Sequence, residues 1–227
     1  MSLPSQASRR GAAGSSPSPR TPLRIVRASA LKATPWKNGG GVTREIAAYP
    51  VGASLDTFVW RVSVADVEQP GPFSRFAGID RTLVLLAGSG MRLVEAGGAT
   101  HALSEPLSIA RFAGEAAIDA QLVDGPTRDF NLMVRRNRAR AELHVWQGAG
   151  RHRLDADAAL VLCVRGALDV HVESAAQVQT RAPASASAPP LHASLATLDT
   201  IVLDAPRALT CHVTGEGAAL AVLVHYC

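Results

Sequence analysis

Hydrophobic and polar residues follow one another along this chain in short runs of the kind that form β-strands. From 58 to 64 apolar side chains fall on every second position, with Arg61 and Ser63 on the opposite face. The next run, 82–87, is almost wholly apolar and ends in Gly88-Ser89-Gly90. Two glycines between apolar runs predict a tight hairpin, because glycine adopts positive φ without steric cost. The pattern predicts an all-β protein built from small antiparallel barrels or sandwiches.

The second half of the chain repeats the first. The run Asp-Arg-Thr-Leu-Val-Leu-Leu from 80 to 86, followed by a glycine turn, is echoed by Asp-Ala-Ala-Leu-Val-Leu-Cys from 157 to 163, followed by Gly166. The repeat is weak but collinear, as expected for duplicated barrels. We therefore predict a first barrel over 21–140, which binds a ligand, and a second, degenerate barrel over 141–227, which acts as a scaffold or dimerisation half.

Two segments lack the composition of a folded core. Residues 1–20 are mostly Ser, Pro, Ala, Gly and Arg, and we expect this N-terminal extension to be disordered. Residues 174–194 form a low-complexity stretch between the echoes of the second half, and we expect a mobile loop there.

The charge of the chain is concentrated at its start. The sequence pI is about 9.4, and the formal net charge is +4. Residues 1–27 hold five arginines and no acid, so the other 200 residues carry 18 basic and 19 acidic groups, a net charge of −1. A nearly neutral body has no evident nucleic-acid-binding face, which argues against a nucleic-acid partner.

The cysteines and the hydropathy of the chain indicate where in the cell the protein acts. The three cysteines, Cys163, Cys211 and Cys227, are odd in number and widely spaced, which favours neither a disulfide framework nor a thiolate metal site. No apolar run reaches 18 residues, so no membrane partner is expected. The first residues contain arginines but no apolar stretch typical of a secretory signal. We therefore expect a cytoplasmic protein.

Four sequence blocks carry a resemblance to a known family. They are TPWKNGGGVTREI at 34–46, WRVSVADV at 60–67, GPFSRFAGIDRTLVLLAGSG at 71–90 and DGPTRDFNLMVRR at 124–136. Together they resemble the HutD/Ves family, and the layout of strands and glycine turns resembles a cupin motif. The resemblance implies two fused double-stranded β-helices, the cupin or RmlC-like jelly roll, and a link to bacterial histidine utilisation. It brings no well-established reaction with it.

Metal ligands of the usual cupin kind are missing from the corresponding place. Most cupins hold a metal through a His-x-His pair, a glutamate and a later histidine, whereas residues 72–80 of this chain read Pro-Phe-Ser-Arg-Phe-Ala-Gly-Ile-Asp. The seven histidines are scattered, with no two at positions i and i+2. We therefore predict no metal and no cofactor.

Covalent catalysis has little support in the sequence. Ser74 is a candidate hydroxyl, but no Gly-x-Ser-x-Gly elbow surrounds it. Glu45, Asp80 and Asp129 are candidate acid–base groups, and for each of them a structural role is the stronger interpretation.

Arg44 lies between apolar residues of a predicted strand. Val42, Arg44 and Ile46 share one face, which predicts that the guanidinium points into the barrel. Burying it is costly unless an anion or carboxylate meets it. Contact with a ligand and an internal salt bridge, for example to Asp80, both stay open.

The predicted ligand site combines cationic, hydrogen-bonding and aromatic side chains: Trp36, Lys37, Asn38, Arg44, Arg61, Ser74, Phe76 and Asp80. Alternation alone more often exposes Arg61 to water, whereas its place in a matching block favours the site. Arginine forks suit carboxylates. We predict a metal-free bicupin that binds a small carboxylate metabolite such as formylglutamate and acts in regulation of histidine utilisation.

The sequence leaves two rival functions open. One is an enzyme, a hydrolase or isomerase, acting on the same metabolite, and the other is an interaction protein whose second barrel binds a partner. A homodimer is plausible because barrels with edge strands often pair them.

Overall fold

The computed structural model describes residues 23–174 and 191–227. The predicted disorder of 1–20 and most of the predicted loop at 174–194 lie outside these residues. Within the described ranges, secondary structure is almost entirely strand, with one 3-10 helix at Ala28–Ala30. No helix in these ranges is long and apolar enough to cross a membrane.

The strands follow in chain order. The first eleven are β1 (Leu23–Val26), β2 (Ala33–Pro35), β3 (Gly41–Tyr49), β4 (Trp60–Val67), β5 (Gly71–Pro72), β6 (Ile79–Ala87), β7 (Met91–Glu95), β8 (Thr100–Leu103), β9 (Ile109–Ala113), β10 (Ile118–Leu122) and β11 (Thr127–Arg135). The others are β12 (Ala139–Gln147), β13 (Gly150–Leu154), β14 (Ala158–Arg165), β15 (Ala167–Ser174), β16 (Leu191–Ala196), β17 (Thr200–Asp204), β18 (Leu209–Thr214) and β19 (Ala218–Tyr226).

These strands form four antiparallel sheets. Sheet 1 has the order β2-β3-β4-β11-β6-β9, sheet 2 β5-β10-β7-β8, sheet 3 β1-β17-β14-β19-β12 and sheet 4 β13-β18-β15-β16. Sheets 1 and 2 enclose one apolar cluster, and sheets 3 and 4 enclose another. The predicted all-β fold with two similar barrels is therefore confirmed: the first barrel is sheets 1 and 2, and the second barrel is sheets 3 and 4.

The two barrels share a third apolar core. It brings Val62, Val64 and Phe130 of sheet 1 against Leu160 and Leu220 of sheet 3. Sheet 1 therefore has two buried faces, one toward the interior of the first barrel and one toward sheet 3. Strand β1 also links the halves of the chain, because Leu23–Val26 pairs with β17 of the second barrel.

The predicted hairpin at Gly88-Ser89-Gly90 is wrong. Strands β6 and β7, on either side of it, belong to different sheets and do not pair with each other. The glycines turn the chain from one sheet to the other, with φ of +105° at Gly88 and +119° at Gly90. A Cβ on Gly88 would lie 2.7 Å from the carbonyl oxygen of Pro126. Glycine is therefore required by the close approach of two backbones at a corner.

Candidate functional site

The polar groups of the first barrel lie on the interior face of sheet 1. Met133 of β11 stands directly opposite Arg61 of β4 on one side and Arg81 of β6 on the other. Residues in register on neighbouring strands share a face, and strands lie about 4.8 Å apart. The two arginines therefore project from the same face, two strand spacings apart.

Arg81 is the more deeply buried of the two, with 7% of its surface exposed. Its Nε and Nη2 donate to Oδ1 of Asn131 at 3.4 and 3.3 Å, and Nη1 donates to the carbonyl oxygen of Ser74 at 3.3 Å. All three are long for hydrogen bonds to a guanidinium. Burial lowers the pKa of Arg81 to about 10, despite the opposing charge of Asp129. The side chain therefore stays cationic at neutral pH, and within 23–174 and 191–227 it has only neutral hydrogen-bond acceptors.

Three aromatic rings surround this guanidinium. Its central carbon lies 5.4 Å from the ring centre of Phe73, 5.8 Å from that of Phe76 and 5.0 Å from that of Phe112. A cation over an aromatic face is attracted by the ring quadrupole, and the attraction grows when water is excluded. The rings therefore stabilise the charge of Arg81 without neutralising it.

Asp129 is buried on the same face, with 2% of its surface exposed. Its Oδ2 finds no hydrogen-bond donor among the described residues. Burial raises the pKa of Asp129 to about 7, although the charge of Arg81 acts in the opposite direction. A buried carboxylate oxygen without a donor is costly, so this group is a point where a ligand can add a hydrogen bond.

Arg61 differs from Arg81 because it has an acidic partner. Its Nε donates to Oε2 of Glu45 at 2.7 Å, and its Nη1 donates to Oγ of Ser63 at 3.2 Å. The Arg61 side chain is 13% exposed and that of Glu45 is 44% exposed. An ion pair with an exposed carboxylate is weak and easily exchanged. A guanidinium has five N–H donors, so Arg61 keeps donors for a further acceptor.

The structure gathers part of the predicted site around Arg81. Phe76 packs over its guanidinium and Ser74 accepts through its backbone, while the Ser74 side chain is exposed. Trp36 contacts the same wall, because its ring meets Phe73 edge-on with 6.1 Å between ring centres.

Lys37 and Asn38 lie at the turn between β2 and β3 and are exposed. The Asn38 side chain accepts from the backbone N–H of Gly40 at 3.1 Å, which stabilises the turn. Neither side chain contacts Arg61 or Arg81 in the described hydrogen bonds and ion pairs. Their role as ligand contacts stays a prediction.

Arg44 does not point into the first barrel, contrary to the orientation expected from the sequence. It stands opposite Val64, on the face of sheet 1 that packs toward sheet 3. Its Nη1 pairs with Asp66, which also pairs with Nε of Arg128 at 2.6 Å. Burial acts to raise the pKa of Asp66, but the two arginines outweigh it and lower the pKa. The salt-bridge interpretation therefore describes Arg44, with Asp66 as the partner.

Asp80 also lies away from the interior. It precedes Arg81 on β6, so its side chain points to the opposite face, where its Oδ1 lies 3.0 Å from Nε of Arg136. The structure therefore separates Arg44 and Asp80 from Arg61 and Phe76.

Arg81, Asn131 and Phe112 were not among the predicted site residues. Strand β6 is apolar on both faces, so alternation gives no interior side. One signal was present: Ile79, Arg81, Leu83 and Leu85 share a face that is otherwise apolar and fully buried. A lone arginine on such a face indicates a buried charge that needs a partner.

The sheets and this interior site define the class of protein: a two-barrel β protein of the cupin type with a charged site in its first barrel. An oxalate decarboxylase from Lactobacillus farciminis shares this fold, with a TM-score of 0.56 at 10% identity over 95% of this chain and 87% of that chain.

The chain belongs to the HutD family, whose model matches residues 28–221. It is 40% identical over 153 residues to an uncharacterised 21.2 kDa protein in the hutC 3′ region of Pseudomonas putida, covering 67% of this chain and 78% of that protein. It is 42% identical to protein Ves of Cronobacter sakazakii over 48% of this chain and 59% of Ves. The structure of HutD from Pseudomonas fluorescens SBW25 in a formate condition superimposes with a TM-score of 0.75 at 30% identity, covering 91% of this chain and all of that chain.

Proposed function

We propose that the first barrel binds a small carboxylate metabolite of the formylglutamate type, and that the protein thereby acts in regulation of histidine utilisation. The observation that carries the proposal is the placement of Arg61 and Arg81 on one interior face, on either side of Met133. Among the described residues Arg81 has only neutral hydrogen-bond acceptors, and Asp129 acts on it by charge without a hydrogen bond, so an anion could pair with the guanidinium directly.

The charge of the site favours an anion near neutral pH. Two guanidinium groups face one exposed carboxylate, Glu45, and one buried carboxylate, Asp129, whose pKa of about 7 leaves it partly protonated. The site is therefore between neutral and singly positive. When Asp129 is protonated, the site carries one excess positive charge, which attracts a carboxylate strongly where water is largely excluded.

The hydrogen-bonding groups match an N-acylated amino acid with two carboxylates. The arginines offer fork-shaped donors for carboxylate oxygens. The amide N–H of an N-formyl group can donate to the unpartnered Oδ2 of Asp129, a bond that a free ammonium group would make with different geometry. Phe73 and Phe76 supply apolar contact for the methylene carbons.

Two similar proteins support a carboxylate ligand and a link to histidine utilisation. A protein 40% identical to this chain lies in the hutC 3′ region of Pseudomonas putida, and the similar HutD structure was obtained in a formate condition, formate being the smallest carboxylate.

Calorimetric titration with formylglutamate, glutamate and urocanate tests the proposal. We expect formylglutamate to bind more tightly than the other two and Arg61→Gln to weaken it at least tenfold. Arg128→Gln is the matched control, because Arg128 lies on the opposite face of sheet 1 and pairs with Asp66. Absence of binding heat with all three compounds would refute the proposal, as would equal losses in the two variants.

An enzyme acting on the same metabolite is the second candidate, and one observation favours it. A buried carboxyl with a pKa near 7, as at Asp129, is suited to general acid–base catalysis at neutral pH. Loss of formylglutamate over hours with purified, chelator-treated protein, abolished by Asp129→Asn, would favour a hydrolase or isomerase. Stable substrate throughout would favour binding alone.

A further inference from the structure

A second group of chemically active side chains lies far from this site, on the outer face of sheet 4. In β15 the residues Leu168, Val170 and Val172 point into the core of the second barrel. The alternate residues, among them His171 and Glu173, therefore project to the outside, where both are half-buried.

His212 completes the group from the neighbouring strand. It stands directly opposite His171 in the register of β15 and β18, and its ring centre lies 5.8 Å from that of His171. Its Nε2 lies 2.7 Å from Oε1 of Glu173. One ligand atom from each of His171, Glu173 and His212 falls within 4.8 Å of the others. Two imidazoles and a carboxylate thus converge on one point between two adjacent strands.

This set of donors is the kind that zinc uses. Zinc binds histidine nitrogen and carboxylate oxygen at about 2.0–2.2 Å, and two histidines with a glutamate form a known three-ligand set that leaves a fourth position open. Tetrahedral ligand atoms at those distances lie about 3.3 Å apart. Small side-chain rotations on a rigid sheet would bring the three donors to that separation.

His192 is a candidate for the fourth position. It lies on β16, directly opposite His171, and its side chain is exposed. Directly opposed side chains on paired strands have Cβ atoms about 5 Å apart, within reach of a shared ion.

We infer that His171, Glu173 and His212 form a binding site for a divalent transition metal such as Zn²⁺ on the outer face of the second barrel, with His192 beside it as the candidate fourth ligand. In the part of the chain that the structure describes, this is the one cluster of His, Cys, Asp or Glu with three converging ligands. The site crosslinks β15, β18 and β16, three strands of one sheet, so the metal would act on the stability of the second barrel.

Two other histidine–glutamate pairs lie close together without a third converging ligand among the described residues. His101 lies 2.9 Å from Glu95, and His144 lies 3.3 Å from Glu142. Neither belongs to a described group with a third ligand. They supply matched controls that keep the pairing and lack the convergence.

Zinc titration of the full-length, untagged, metal-free protein tests this site. The parent protein and all variants carry Cys227→Ser, because a free, exposed thiol such as that of Cys227 can itself bind zinc. In competition with a chromophoric chelator we expect one Zn²⁺ per chain and an affinity at least tenfold weaker for His171→Ala, His212→Ala and Glu173→Gln. The affinity of His144→Ala should equal that of the parent.

Co²⁺ spectroscopy provides a second readout. We expect intense visible bands of a four-coordinate ion in the parent protein, lost in His171→Ala and His212→Ala, whose melting temperatures without metal should match that of the parent. A parent protein that takes up no zinc, or a His144→Ala variant that weakens binding as much as His171→Ala, would overturn the inference.

Discussion

Arg81 and Asp129 are buried on the same face of neighbouring strands and shift each other's ionisation without a hydrogen bond between them. Burial lowers the pKa of Arg81 and raises that of Asp129, while the attraction between the two charges opposes both shifts. The hydrogen bonds of Arg81 go to Asn131 and Ser74 instead. The pair is therefore a buried charge and a titrating carboxyl on one buried face of sheet 1.

Binding of formylglutamate should strengthen as the pH falls from 8 to 6. Protonation of Asp129, with its pKa of about 7, removes a negative charge from the site while the ligand's carboxylates stay ionised. Calorimetry across this range should show the trend in the parent and a nearly flat profile in Asp129→Asn. An equally steep profile in the variant would show that Asp129 is not the group responsible.

Asp129→Asn should also change how stability depends on pH. The folded-state pKa of about 7 exceeds the ordinary value of 3.8, so folded protein binds the proton more tightly than unfolded chain. The contribution of Asp129 to stability is therefore largest below pH 4 and is lost as the pH rises toward 7. In urea unfolding we expect the variant to gain stability relative to the parent between pH 5 and pH 8. A constant difference would contradict the buried-carboxyl interpretation.

Arg81→Lys should weaken carboxylate binding at least tenfold while keeping the charge. Lysine replaces a planar fork by a point charge and cannot donate to Asn131 and Ser74 together in the same geometry. The affinity from calorimetry, compared with that of Arg92→Lys at an exposed position of β7, checks this expectation. Unchanged affinity for Arg81→Lys would show that the fork does not contact the ligand.

Gly88→Ala should destabilise the fold by about 1–3 kcal/mol, because a non-glycine residue at positive φ is strained and the new Cβ would meet backbone. That Cβ would lie 2.7 Å from the carbonyl oxygen of Pro126. Gly97→Ala is the control, since a Cβ there meets nothing within 4 Å. Chemical denaturation of both variants measures the difference, and equal stability would contradict the corner geometry.

The sequence predicted strands and their duplication well, because strand periodicity is local. The sequence prediction was wrong where a side chain had to be assigned to one of the two faces of a sheet. Both faces of sheet 1 are buried, so an apolar neighbour of Arg44 does not indicate the barrel interior. Ile46 and Ala47, at the register shift that follows Glu45, both belong to the core between sheets 1 and 3.

The sequence also could not predict which side chains from different strands come together. The usual cupin pattern has two histidines at i and i+2, whereas β15 carries a histidine and a glutamate at that spacing. The second histidine comes from β18, about 40 positions along the chain. Only the pairing of the strands brings these residues together. For the same reason Asn131 was not recognised as the partner of Arg81.

The apolar contact between sheets 1 and 3 couples the unfolding of the two barrels. Division of the chain near residue 140 would expose the apolar residues of this shared core to water on each half. It would also remove β1 from its pairing with β17. We therefore expect the halves to be insoluble when expressed alone, and the intact chain to melt in a single step. A ligand that stabilises the folded state of one barrel would then also raise the melting temperature of the other barrel.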